Sequence, residues 1–168
     1  MNYFELFELP LQFEVDAKKI RPKFLELSRR FHPDFHSQEN EVNQQKVMEQ
    51  SALINKGWQV FQEPLATLHY VLQLLGKIKE QENPVLSADF LMEMMELNER
   101  LTEGDQDQQL QLKEEINRYE KELYEGIKSI LKNPPTVATD TDLEKIKEYY
   151  YQQKYLNRIQ ERIQLNLS

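Results

Sequence analysis

Residues 16–36 read DAKKIRPKFLELSRRFHPDFH, and this stretch indicates a helix that ends at a polar tripeptide. Asp16 suits an N-cap, and apolar residues follow at steps of four, three and four. These apolar residues are Ile20, Phe24, Leu27 and Phe31. Pro22 lacks a backbone donor, which predicts either a kink or a helix that begins later than Asp16. Pro33 favours a stop just before it, because the residue that precedes a proline is pushed out of helical geometry.

The tripeptide His32-Pro33-Asp34 joins a stiff backbone to two polar side chains that we expect to face solvent. A plain helix stop with a turn explains it structurally, and a partner-binding loop explains it functionally. The preceding helix favours the second explanation, because residues 17–31 carry a net charge of +5 in a chain of net charge −8. Its basic residues are Lys18, Lys19, Arg21, Lys23, Arg29 and Arg30. Such a local field suggests an acidic partner surface.

A second helical pattern runs over residues 39–62, where Val47, Ser51, Ile54, Trp58 and Phe61 recur at helical spacing. The two helices are expected to pack as an antiparallel hairpin around the tripeptide. The aromatic segment 3–7 is expected to cover the end of their apolar seam. With 30% charged residues, four glycines and no sustained alternation, the chain is predicted to be all-α, without a sheet.

Composition also excludes several function classes. The chain has no cysteine, so it has neither a disulfide framework nor a cysteine metal site. Its acidic balance argues against nucleic acid, and no span of eighteen apolar residues predicts a membrane helix. No nucleophile grouping, phosphate loop or carboxylate pair can be argued from spacing, so no enzyme and no cofactor are predicted. We expect a cytoplasmic, bacterial protein.

The remainder of the chain predicts a connecting helix over 64–75 and then three long helices. These three run over residues 87–103, 105–132 and 141–167, and they are expected to form an up-down-up bundle. The charged stretch between them and the hairpin contains Gly76, Asn83 and Pro84. We therefore predict a first domain over 1–75, a linker over 76–86 and a helical bundle over 87–168.

The helix that begins at Ser87 is too apolar for one buried stripe. Either both its faces are buried, or methionine-rich positions are exposed and bind a partner. Its net charge of −4 over residues 87–103 is explained by a solvated face or by attraction of a basic partner.

The chain resembles the HscB family of J-domain co-chaperones in iron–sulfur cluster assembly. The resemblance is carried by residues 2–7, by 31–34, by 54–61 with Pro64-Leu65, and by 88–101. It implies that His32, Pro33 and Asp34, with Arg21, Lys23, Arg29 and Arg30, engage the Hsp70-type chaperone HscA and stimulate its ATP hydrolysis. Many J-domains carry a lysine where Phe35 stands here, which bears on chaperone specificity.

The same resemblance implies that the C-terminal helices bind the scaffold protein IscU. The matching positions are Leu91, Met92, Met95, Glu96 and Glu99, together with an aromatic residue on the last helix that falls at Tyr155. Two alternatives stay open. One is a general J-domain co-chaperone with another client, and the other is a metal-delivery protein that uses His32, Asp34 and His36.

Overall fold

The computed structural model describes residues 1–168 and contains seven α-helices and no strand, which confirms the predicted all-α class. The helices are α1 Tyr3–Leu6, α2 Ala17–Arg30, α3 Glu41–Gln62, α4 Pro64–Leu74, α5 Ala88–Glu103, α6 Gln106–Lys132 and α7 Asp140–Leu167. Short 3-10 helices cover Pro33–His36 and Pro135–Val137. The chain divides into two compact units, 1–71 and 72–168.

The segment 76–86, predicted as a linker, lies within the second unit. Its side chains are engaged there: Lys77 Nζ lies 3.0 Å from Asp140 Oδ1, and Glu82 is paired with Lys147. Ile78 is buried. Two of the charged residues in this segment, Lys77 and Glu82, are therefore ion-pair partners of α7.

In the first unit, α2 begins where its cap predicts. The Asp16 side chain accepts a hydrogen bond from the Lys18 backbone, and Pro22 lies inside the helix rather than at its start. Helices α2 and α3 pack through the parallel rings of Phe24 and Trp58, whose centroids are 4.6 Å apart. The basic helix is thus fixed on α3 by its apolar stripe, which leaves its opposite face in solvent.

Helix α1 covers one end of this pair, as the aromatic segment predicted. Phe4 and Phe7 pack against Phe61 with ring centroids 5.0 and 5.3 Å apart, and all three side chains are buried. Gly57 lets α1 approach closely, because a Cβ at this position would lie 3.0 Å from Phe7 Cε2. The close approach explains why a glycine is used inside a helix, where it normally costs stability.

The second unit is built around a cluster that α5, α6 and α7 share. Its fully buried members include Met94, Leu101, Leu112, Ile116, Leu156 and Ile163. Gly104 makes the turn between α5 and α6 with φ −80°, a value that any residue can adopt. A glycine is needed there for space, because a Cβ would meet the Arg100 carbonyl oxygen at 2.8 Å. Gln109 reaches back from α6 and donates to the Leu101 carbonyl at the end of α5.

Ser87 caps α5, since its Oγ accepts a hydrogen bond from the Phe90 backbone at 3.2 Å. Replacing Ser87 with alanine leaves that donor without its partner and is expected to lower the free energy of unfolding by about 1 kcal/mol. Chemical denaturation followed by circular dichroism measures the change. Ser129→Ala, inside α6 on an exposed position, is the matched control and should change stability little. Equal effects of the two variants would contradict the capping role.

Candidate functional site

The tripeptide forms an exposed elbow between α2 and α3. His32 adopts the extended geometry expected before proline, with φ −72° and ψ 128°, and the 3-10 helix Pro33–His36 starts directly after it. His32 Nδ1 accepts a hydrogen bond from the Asp34 backbone at 3.2 Å, and the Phe35 N–H donates to the His32 carbonyl. His32, Pro33 and Asp34 are all exposed, as expected.

Because its Nδ1 accepts this bond, the neutral His32 ring carries its proton on Nε2. The ring therefore presents a donor to solvent, while the Asp34 carboxylate beside it presents acceptors. The two side chains lie close together, with Nδ1 3.7 Å from Asp34 Oδ2, a distance too long for a hydrogen bond. The elbow thus offers directional polar contacts on a backbone that its own hydrogen bonds hold in place.

Two further residues hold the elbow, and neither role could be predicted from the sequence. His36 Nε2 lies 2.9 Å from the Arg30 carbonyl at the end of α2, and its Nδ1 lies 2.6 Å from Glu39 Oε1. Gln44, on α3, donates to the carbonyls of Ser37 and Glu39 at 3.0 and 2.7 Å. Polar side chains such as these have no helical period in the sequence, so periodicity does not reveal them.

The predicted basic residues of α2 fall into two groups. Arg21, Arg29 and Arg30 are exposed. Lys23 is largely covered and paired with Glu8 at 2.7 Å and with Glu26 at 3.5 Å. The Lys23 ammonium donates a hydrogen bond to the Glu8 carboxylate and so lowers the pKa of that carboxyl group. The arginines are free to attract a partner, while Lys23 already binds the segment that follows α1.

Apolar side chains accompany the arginines. Leu25 and Phe35 are 46% and 71% exposed, and together with Pro22, Arg29 and Arg30 they line a shallow groove. Exposed apolar groups amid charged groups are typical of protein-binding surfaces. Phe35, directly after the tripeptide, is therefore part of the same surface as the basic helix.

Helix α5 has one buried and one exposed apolar face. Phe90, Met94 and Leu101 enter the core of the second unit. Leu91, Met92 and Met95 are 40%, 67% and 63% exposed, and Glu96 and Glu99 are exposed beside them. The alternative in which both faces are buried is thus wrong.

Tyr155 differs from the α5 residues. Its ring is half-buried and meets Phe90 edge-on, with centroids 6.1 Å apart. Tyr150 and Tyr151 nearby are buried. Tyr155 therefore supports the start of α5 from α7 and contributes only part of its ring to the surface.

Next to this face, α5 and α6 enclose a charged cleft. Arg100 forms a two-pronged salt bridge with Glu115, with distances of 3.1 and 2.7 Å, and both ends of the bridge line the cleft. Burial and the Glu93 carboxylate raise the pKa of Tyr119, which also lines the cleft, to about 12.

The geometry does not support the alternative function of metal delivery by the elbow. Both ring nitrogens of His36 are engaged in hydrogen bonds, and His32, Asp34 and His36 do not form a group able to hold a metal ion. None of the seven helices combines the length and the hydropathy of a membrane-spanning segment.

Comparisons with known proteins agree with this architecture. Residues 86–164 match the family model described as the HSCB C-terminal oligomerisation domain. The chain is 40% identical over 102 residues to the "Co-chaperone protein HscB homolog" of two Vibrio cholerae serotype O1 strains. That alignment covers 60% of this chain and 60% of each relative, which is less than two thirds of their length.

Two solved structures are similar over nearly the whole chain. The crystal structure of human co-chaperone protein HscB has a TM-score of 0.83 at 28% identity, and the match covers 98% of this chain and 81% of the human one. HscB from Vibrio cholerae has a TM-score of 0.77 at 27% identity, with 98% and 96% covered. The family model, the sequence relatives and the two structures agree with one another: residues 86–164 match the HscB C-terminal domain, and the chain is similar in fold to HscB over 98% of its length.

Proposed function

We propose that this protein is a cytoplasmic co-chaperone that stimulates the ATPase of the Hsp70-type chaperone HscA and delivers the scaffold protein IscU to it for iron–sulfur cluster assembly. The observation that carries the proposal is the coexistence of two exposed surfaces in one chain: the elbow with its basic helix in one unit, and the methionine-rich face of α5 in the other. The relatives' names as co-chaperones support it.

The first surface fits an acidic chaperone. Arg21, Arg29 and Arg30 supply long-range attraction, which speeds encounter more than it lengthens the life of the complex. His32 and Asp34 supply short-range polar contacts, and Leu25 with Phe35 supplies apolar area. The protein performs no chemistry here; its contacts favour the chaperone conformation that hydrolyses ATP.

The second surface fits a client with an apolar patch and basic flanks. Leu91, Met92 and Met95 offer apolar area to such a patch, and methionine side chains adapt to irregular partner surfaces. Glu96 and Glu99 lie on the same face and favour positive charge on the client. Because both surfaces belong to one chain, a bound client is held at high effective concentration near the chaperone.

The test is the steady-state ATPase rate of HscA with this protein, with IscU, with both and with neither. The proposal requires stimulation by the protein alone and further stimulation when IscU is added. Stimulation that IscU does not increase would favour the general J-domain co-chaperone with another client. No stimulation in any combination would contradict the proposal.

The two groups of basic residues should separate in the same assay. Arg29→Ala is expected to raise the protein concentration for half-maximal stimulation about threefold to tenfold at low salt, and this penalty should shrink as salt screens the charges. Lys23→Ala should have a smaller effect, because Lys23 is already paired with Glu8. Equal effects of both variants at every salt concentration would show that the ion pair does not distinguish them.

A further inference from the structure

His36 joins the end of α2 to the residue that precedes the cap of α3. One ring nitrogen faces the carbonyl oxygen of Arg30 at 2.9 Å, and the other faces a carboxylate oxygen of Glu39 at 2.6 Å. Arg30 is the last residue of α2, and its carbonyl is one of those that a helix leaves without an internal partner. The bridge Arg30–His36–Glu39 therefore spans the elbow that carries His32, Pro33 and Asp34.

Both partners of the ring are acceptors. A neutral imidazole has one N–H and can donate to only one of them, whereas the protonated ring has two N–H groups and can donate to both. A positive charge is also favoured beside the C-terminus of a helix and beside a carboxylate. The protonated ring can thus donate a hydrogen bond to both acceptors, whereas the neutral ring leaves one of the two short contacts without a hydrogen bond.

We propose that His36 is a positioning residue that holds the His32-Pro33-Asp34 elbow in its present geometry when its ring is protonated, and that loss of this proton loosens the elbow. The expected effect of this proton on the chaperone rests on the proposed function. Its expected effect on the geometry of the elbow does not.

The surroundings of the ring set the direction of the pH dependence. The hydrogen bonds to the Arg30 carbonyl and to Glu39 raise the pKa of His36 above its ordinary value of 6.5, with some opposition from desolvation. From α3 the elbow receives the uncharged amide of Gln44. From α2 the ring meets the Arg30 carbonyl, while the Arg30 guanidinium lies over the Phe31 ring. Glu39 is therefore the charged group that acts on the ring. The bridge is therefore complete below about pH 6.5 and is lost as the pH rises through the raised pKa of the folded state.

The first experiment follows the full-length protein by NMR without any partner. The His36 ring should titrate above pH 6.5, and Glu39→Gln, which keeps an acceptor but removes the charge, should lower that midpoint. Exchange of the Phe35 and Glu39 amides, corrected for its intrinsic pH dependence, should be about tenfold faster in His36→Phe than in the original protein at pH 6. At pH 9 the two proteins should exchange alike. A ring that titrates at or below 6.5, or equal exchange at both pH values, would overturn the proposal.

The second experiment compares stimulation of HscA by the original protein and by His36→Phe across the same pH range. At each pH the rate with the original protein is divided by the rate with His36→Phe, and this ratio cancels the chaperone's own pH dependence. The ratio should exceed one at pH 6 and approach one at pH 9, and a ratio that does not vary with pH would contradict the positioning role. If neither protein stimulates HscA, the proposed function fails, but the NMR experiment still shows whether protonated His36 holds the elbow. Gln45→Ala, on the exposed surface of α3, is the control and should match the original protein in both experiments.

Discussion

His32→Gln is expected to remove nearly all stimulation of the chaperone ATPase, leaving about a tenth or less, because it alters the centre of the elbow. The His32 ring accepts the Asp34 backbone N–H through Nδ1 and presents Nε2–H to solvent from a fixed direction. A glutamine side chain carries similar polar atoms on a more flexible chain. It therefore reproduces neither the hydrogen bond from the Asp34 backbone nor the fixed direction of the Nε2–H donor. Its flexibility also adds an entropy cost to binding.

The fold should not change, since His32 is exposed and lies outside the core. Equal melting curves for the original protein and the variant therefore belong to the same prediction. Ser37→Ala is the matched control within the loop, because the Ser37 backbone carbonyl, and not its side chain, holds Gln44. A His32→Gln protein that stimulates the chaperone as well as the original protein would show that the elbow is not the contact.

Replacing Met92 and Met95 together with aspartate is expected to weaken IscU binding about a hundredfold or more. The two side chains are 67% and 63% exposed, so the change removes apolar area that only a partner would bury. It also places two carboxylates where that partner would strip them of water, which costs several kcal/mol for an unpaired charge. Stimulation of the ATPase without IscU should stay as it was, because the elbow lies in the other unit.

Calorimetric titration with IscU measures the loss, and the melting temperature checks that α5 remains folded. Met48→Asp is the control for the substitution itself, since Met48 is an exposed methionine, 61% accessible, on α3. Binding should survive this change. Undiminished binding by the Met92 and Met95 variant would remove α5 from the proposed client surface.

The helical framework was predictable because burial leaves a period in the sequence. The apolar residues of α7 from Leu143 to Ile163 recur at helical spacing, and they are buried as that spacing predicts. Asp16 and Ser87 were recognisable as caps, because short polar side chains before apolar runs have few other roles at helix starts. The excess of apolar residues on α5 could be read in the same way, although only the structure distinguishes an exposed face from a second buried one.

Long-range polar contacts were not predictable. Nothing in the sequence distance between Lys23 and Glu8 indicates their ion pair. Nor does the sequence indicate that Lys77 and Glu82 pair with residues of α7. His36 was considered only as a metal ligand, because its actual partners are a backbone carbonyl and a neighbouring carboxylate. Side chains that bind backbone groups carry no sequence period, so the parts of the site that hold it in shape became visible only in three dimensions.

If one molecule must hold chaperone and client together, then a mixture of two variants that each keep a single surface cannot replace it. His32→Gln keeps the client surface, and the Met92 and Met95 double aspartate variant keeps the chaperone surface. HscA turnover is measured with IscU and either the original protein or an equimolar mixture of the two variants. The mixture should give no more turnover than the double aspartate variant alone, because neither molecule carries both surfaces. Turnover restored to the level of the original protein would contradict delivery by a single chain.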